Sequence, residues 1–212
     1  MDDSEDSQDN TNPIKITVSM CGCSGVGKTS IIERFDHNNF ETNMQPTIGC
    51  AFKKIKINSE GNELDFSIWD TAGQEIFHSI SRQYYHNTNI AIIVYDISNR
   101  KSFLKLNFWH KEVVENAQTN VKFLIIGNKS DLVKKRAVSF EEGQEFAEKK
   151  YSSFIETSAK NNENIQLVIA QLIEIVNHNK ESIVKQIQDS QLDLQIKIKK
   201  QQDEIHKKSG CC

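Results

Sequence analysis

The sequence predicts an α/β domain, about six strands in a mostly parallel, doubly wound sheet with helices on both faces. Two observations carry this expectation. Short apolar runs rich in β-branched residues alternate with stretches of helical periodicity from Ile14 to about residue 178. Only two prolines, Pro13 and Pro46, interrupt the chain, and both stand outside the helical stretches. At 212 residues there is room for one domain and a tail, not for two cores.

Taken in order, residues 1–12 form a disordered acidic arm, because Asp2, Asp3, Glu5, Asp6 and Asp9 stand there without a base or an apolar anchor. Strands follow at IKITVSM (14–20), CAFKKIKI (50–57), LDFSIWD (64–70), IAIIVYD (90–96), VKFLIIG (121–127) and SFIET (153–157). Two of these alternate polar and apolar residues, as half-buried edge strands do, and three are apolar throughout, as strands covered on both faces are. Helices are expected near 27–37, 75–86, 101–117, 140–150 and 162–178, closing a domain over 13–178. In the tail, 179–212, Ile183, Ile187, Leu194 and Ile198 stand at roughly helical spacing while Leu192, Leu194, Ile196 and Ile198 alternate. The tail is read as extending the last helix and then becoming a flexible tether.

The net charge of −3 belongs to the arm, since residues 11–212 carry +2, and this near-neutral balance excludes wholesale nucleic-acid binding. No apolar run approaches the roughly eighteen residues of a membrane span, and the acidic start is unlike a signal peptide, so the chain is expected in the cytosol. Five cysteines suit no disulfide framework. Cys21 and Cys23 lack a second ligand pair at zinc spacing and are read as packing residues.

The chemistry begins directly after the first strand, in GCSGVGKT, where Gly22, Gly27, Lys28 and Thr29 stand in the phosphate-loop spacing. Glycines let the backbone N–H groups of Ser24, Gly25, Val26, Gly27, Lys28, Thr29 and Ser30 turn toward phosphate oxygens. The following helix adds its positive end, and Lys28 reaches the β and γ phosphates. Thr29 offers a hydroxyl to Mg²⁺. This context predicts a P-loop NTPase fold rather than a plain glycine turn.

A phosphate loop alone holds ATP or GTP; NKSD selects between them. The carboxylate of Asp131 accepts from the N1–H and exocyclic amine of guanine, whereas adenine would leave it desolvated and unpaired, a penalty able to discriminate by about 10⁴-fold. Asn128 and Lys129 accompany it. In SAK, Ser158, Ala159 and Lys160 follow the last strand, where a backbone N–H can meet the guanine carbonyl. DTAGQE ends the third strand: Asp70 would hold Mg²⁺ through water, Gly73 would donate an N–H to the γ-phosphate, and Gln74 would orient the attacking water. Thr47 in QPTIG would bring a second hydroxyl to Mg²⁺ from a loop closing over the γ-phosphate. Individually, a strand-ending Asp is usually a cap and a lone Gln usually surface.

Together, GCSGVGKT, QPTIG, DTAGQE, NKSD and SAK resemble the Ras superfamily of small GTPases across about residues 14–178. Within it TIGCAF, FSIWDTAGQE, RQYYHNT and IVYDIS are similar to Rab sequence blocks. The resemblance implies a guanine-nucleotide switch of vesicle and membrane traffic that hydrolyses GTP to GDP and phosphate, with Mg²⁺ as cofactor. It implies that Phe40 lies edge-on to the purine and that Phe52, Trp69 and Tyr84 present the nucleotide state to effectors; without it, aromatics on strands read as core. Implied partners are a GTPase-activating protein, an exchange factor, a GDP-dissociation inhibitor or escort protein, and effectors, with the chain itself a monomer. Adjacent Cys211 and Cys212 resemble the Rab signal for double geranylgeranylation, which implies cycling between the cytosol and the cytoplasmic face of an endomembrane. Rab proteins usually have Arg where this chain has Ile76, and Ser24 is common among them. No arginine finger is identifiable in cis, so intrinsic turnover is expected at roughly 10⁻⁴ to 10⁻³ per second. Two rivals differ in class: a membrane-tethered nucleotide-binding adaptor without useful hydrolysis, marked by loss of Gln74 or Thr47, and an ATP-dependent enzyme, which NKSD opposes.

Overall fold

The computed structural model describes residues 13–37, 47, 50–71, 85–117 and 120–209. Six strands, β1 (Ile14–Cys21), β2 (Cys50–Ser59), β3 (Asn62–Thr71), β4 (Ile90–Asp96), β5 (Lys122–Asn128) and β6 (Ser153–Thr157), form one sheet in the order β2-β3-β1-β4-β5-β6. β2 runs antiparallel to β3, and the other pairs are parallel. Among the described residues the α-helices are α1 (Lys28–His37), α2 (Arg100–Leu104), α3 (Leu106–Asn116), α4 (Phe140–Lys149), α5 (Ile165–His178) and α6 (Lys180–Ser209). From central β1 the parallel strands extend in both directions, and the loop after β1 therefore opens at the point where crossovers diverge, the usual place for a ligand in such sheets.

Strand periodicity divides the apolar residues between two cores. Ile90, Ile92 and Val94 of β4 join Ile16, Val18 and Met20 of β1 against Val26, Ile31, Leu172 and Val176. Their neighbours Ala91, Ile93 and Tyr95 face the other way, onto Leu106, Trp109, Val113 and Ala147. Burial on both faces is why β4 and β5 read as unbroken apolar runs. Cys21 belongs to the second core and Cys23 packs against the first, so the two thiols serve opposite sides of the sheet.

Two expected helices need comment. The stretch near 101–117 is two helices rather than one: Asn99 caps the first through its side chain, and Lys105, with ψ near zero, ends it and starts the second. Within the first helix, Ser102 Oγ bonds back to the Asn99 carbonyl at 2.7 Å. The helix expected near 75–86 falls almost wholly in 72–84, outside the described residues, as does the arm 1–12.

After α5 stops at Asn179 the chain turns into α6 and stays helical through Ser209, where the sequence suggested a tether. Gln, Lys and Leu are good helix formers, and this preference prevails over the apolar alternation at 192–198. Its first two turns belong to the domain: Ile183 is 1% exposed in the first core, and Ile187 packs against it. Lys180 Nζ donates to Asn62 Oδ1 (3.0 Å), Asn89 Nδ2 to Gln186 Oε1 (3.3 Å), and Gln186 Nε2 to the Asn120 carbonyl (3.2 Å). α6 thus crosses the edge where β3, β4 and β5 begin, at the opposite pole from the loop after β1. Beyond that, Leu192, Leu194, Ile196 and Ile198 are exposed. Among the described residues no helix is long and apolar enough to cross a membrane.

Candidate functional site

Between β1 and α1 the loop is shaped by backbone geometry that side chains disfavour. Gly22 has φ +139°, and a Cβ there would lie 2.2 Å from the Val94 carbonyl oxygen; Gly27 has φ +97°, and its Cβ would lie 2.3 Å from Asn128 Nδ2. Both positions therefore demand glycine. Lys28 is buried, and its ammonium donates to the carbonyls of Gly22 (2.9 Å) and Cys23 (3.2 Å), which holds it across the loop. Burial pulls this ammonium below the ordinary lysine value, opposed by the nearby Asp70 carboxylate. Ser24 and Gly25 are exposed at the rim, Val26 is buried beneath it, and Ser30 is partly buried in the first turn of α1.

Beside Lys28 three oxygen-bearing side chains converge from distant parts of the sequence. Thr29 Oγ1 donates to Asp70 Oδ2 at 2.5 Å and lies 2.8 Å from Thr47 Oγ1. Asp70, next to last in β3, is 2% exposed, and among the described residues its other oxygen Oδ1 is buried without a partner. Burial pushes this carboxyl up, opposed by the Thr29 hydroxyl and by Lys28. Two hydroxyls and a carboxylate with an unsatisfied oxygen suit a small, hard divalent cation, and nothing in the set favours a softer one.

The other half of the site hangs from β5 and β6. Asn128 Nδ2 donates to the Val26 carbonyl at 2.8 Å, and its Oδ1 accepts from Thr157 Oγ1 (3.1 Å) and Ala159 N (3.3 Å). Lys129 takes φ +67°, a strained choice for a lysine, and its ammonium bonds the Gly25 carbonyl at 2.7 Å and Asp96 Oδ2 at 2.8 Å. Asp131 Oδ1 accepts from Ser158 Oγ at 2.6 Å, and that hydroxyl in turn accepts from Asn161 N at 3.0 Å. Ser158 is buried while Lys160 is exposed. One carboxylate is thus aimed by a buried hydroxyl next to a loop with phosphate-binding geometry.

The sequence model of the Ras family matches residues 17–178. The chain belongs to that family. Among its relatives, Ras-related protein RabC of Dictyostelium discoideum is 36% identical over 197 residues, covering 92% of this chain and 96% of that one. Ras-related protein Rab-31 of Homo sapiens is 44% identical over 153 residues, 72% of this chain and 78% of that one. Ras-related protein Rab-11A of Dictyostelium discoideum is 38% identical over 161 residues, covering 76% and 75%. The protein is a Rab-like small GTPase, a GTP hydrolase of membrane traffic.

In this GTPase, Phe52 and Trp69 face each other across β2 and β3, ring centroids 4.6 Å apart. Phe52 is 47% exposed and Trp69 partly buried, and neither joins the two cores. Tyr84, Phe40, Gly73, Gln74, Ile76, Cys211 and Cys212 lie outside the described residues. Asp96 and Glu163 also shape the Rab-like site, outside the motifs that mark it in the sequence. Asp96, paired in register with Asn128, anchors Lys129 and also accepts from Ser98. Glu163 bridges Ser158 through its backbone and accepts from Ser130 Oγ at 3.1 Å, closing the base-side turn. The signal for Asp96 was available: adjacent parallel strands ending in Asp and Asn at one level point polar groups at the same loop.

Proposed function

We propose that this Rab-like GTPase binds GTP with its phosphates on Ser24–Ser30 and its base between Asn128, Lys129, Asp131 and the Ser158–Lys160 turn. The reading rests most heavily on one observation, the meeting of Thr29, Thr47 and Asp70 beside buried Lys28. Those three side chains would hold Mg²⁺, Asp70 through water; bound there, the ion would neutralise charge developing on the β and γ phosphates. Lys28, with two of its three donors fixed on loop carbonyls, keeps one for a phosphate oxygen. Gly73 donates a backbone N–H to the γ-phosphate and Gln74 orients the attacking water; Phe40 lies against the purine. A GTPase-activating protein completes the charge stabilisation, and Gln74→Leu lowers the stimulated rate by about tenfold or more.

The loop bearing Thr47 and the DTAGQE segment are ordered by GTP and relaxed by hydrolysis, and Phe52, Trp69 and Tyr84 present the difference to effectors. An exchange factor reloads the protein. The adjacent Cys211 and Cys212 take two prenyl chains, which give stable anchoring where one gives marginal binding, and a GDP-dissociation inhibitor or escort protein carries them through the cytosol. The exposed lysines Lys197, Lys199 and Lys200 of α6 add attraction to anionic lipid on the cytoplasmic face of an endomembrane. Changing both cysteines to Ser makes the protein fully soluble in cells; persistence on membranes would refute the lipidation reading.

The direct experiment follows GDP release with and without EDTA. Wild-type protein should release GDP at least tenfold faster, in rough terms, when Mg²⁺ is chelated. Asp70→Ala should release it fast in either condition. A wild-type rate indifferent to chelation would contradict the metal assignment.

A further inference from the structure

Arg34 lies on α1, two turns beyond the phosphate loop, and no motif draws attention to it. Its side chain crosses to the far side of the site: Nε donates to the Ala159 carbonyl at 2.7 Å and Nη2 to the Lys160 carbonyl at 2.8 Å. Two charge-assisted bonds from one planar guanidinium to consecutive carbonyls fix the orientation of both peptides, which a single bond would leave free to rock.

In a trans peptide the carbonyl and the N–H point in opposite directions. Pinning the Lys160 carbonyl to α1 therefore turns the Asn161 N–H away from Arg34. That N–H donates to Ser158 Oγ at 3.0 Å, and Ser158 Oγ donates to Asp131 at 2.6 Å. Two peptides earlier, the Ala159 N–H lies 3.3 Å from Asn128 Oδ1, and Asn128 Nδ2 bonds the Val26 carbonyl. A closed circuit results, running from the phosphate loop along α1 to Arg34, through the Ser158–Asn161 turn to Asp131, and back through Asn128 to the phosphate loop.

We infer that Arg34 is a positioning residue for base recognition, holding the Ser158–Asn161 turn so that Asp131 and the backbone of the turn meet guanine in register. The inference deepens the reading of Asp131 as the base selector and rests on it. Arg34 acts on the base through the Ala159 and Lys160 carbonyls that it holds. Loss of its fork lets the turn relax and blurs the distinction between bases, while the phosphate and cation half of the site keeps its own bonds.

The test compares dissociation constants for GDP and IDP, which lacks the exocyclic amine, in wild type, Arg34→Met and Arg34→Lys, with EDTA-accelerated GDP release measured in parallel. Arg34→Met should narrow the preference for GDP over IDP by roughly threefold or more, Arg34→Lys should recover part of it, and the EDTA acceleration should stay within about twofold of wild type. A preference unchanged in Arg34→Met would overturn the inference, as would equal loss of base preference and EDTA response, the mark of general loosening. A wild-type protein that treats GDP and IDP alike would overturn the Asp131 reading itself and the inference with it; in that case the wild type fails, not only the variants.

Discussion

Asn128 donates from its carboxamide to the carbonyl of Val26 at 2.8 Å, across 102 residues of sequence, and so ties the phosphate loop to the end of β5. A Cβ on Gly27 would collide with that same nitrogen at 2.3 Å. The two halves of the site therefore meet at Asn128, and loss of that side chain reaches both.

It follows that Asn128→Ala should act beyond base contacts. The Val26 carbonyl, the Ala159 N–H and the Thr157 hydroxyl each lose a buried partner, at about 1–3 kcal/mol per group left unsatisfied. Thermal melting should show a loss of stability, and GDP release should rise by roughly tenfold or more. Unchanged melting and release would mean that the link is ornamental.

Asp131→Asn tests base selection by chemistry rather than by loss. An amide can donate to a second carbonyl, so the variant should gain preference for xanthine over guanine nucleotides in competition binding. Retained guanine preference would contradict the role of the carboxylate.

The start of α6 is structural, whereas Leu192, Leu194, Ile196 and Ile198 farther along it are exposed. Ile183→Ala empties a fully buried position and should lower stability by about 2–5 kcal/mol in chemical denaturation. Removal of residues 190–212 should leave the midpoint nearly unchanged. Equal effects of the two changes would refute the distinction.

His110 stacks on Phe123 with ring centroids 4.3 Å apart, and burial, then Lys150, lowers its affinity for a proton below the ordinary value of 6.5. The unfolded chain therefore binds that proton more readily. Its contribution to stability is full above about pH 6.5 and is lost as pH falls from there through the lower folded value. His110→Gln should flatten the wild-type fall in melting temperature over that window; parallel curves would refute the assignment.

Most of this architecture was legible because parallel strands buried on both faces must be apolar and loops that hold phosphate must be glycine-rich. IAIIVYD and GCSGVGKT could hardly be read otherwise. Thr29, Asp70 and Thr47, which hydrogen bonds bring together, were expected as a set from the motifs GCSGVGKT, DTAGQE and QPTIG that carry them. Arg34 was not, since its partners are backbone carbonyls 125 and 126 residues away, and a carbonyl carries no mark in the sequence. The path of α6 was hidden for a related reason: Ile183 and Ile187 announce a helix, but only the tertiary contacts of Gln186 with Asn89 and Asn120 show where it lies. Lys105 divides a single expected helix into Arg100–Leu104 and Leu106–Asn116, a break that the continuous apolar period does not reveal.

The most direct measurement is the identity of the nucleotide released when protein purified from bacteria is denatured and the supernatant is chromatographed. GDP should appear in near-equal amount to protein, the residue of tight guanine binding followed by hydrolysis. GTP in its place would mean binding without turnover, and an adenine nucleotide would contradict the base-reading site outright.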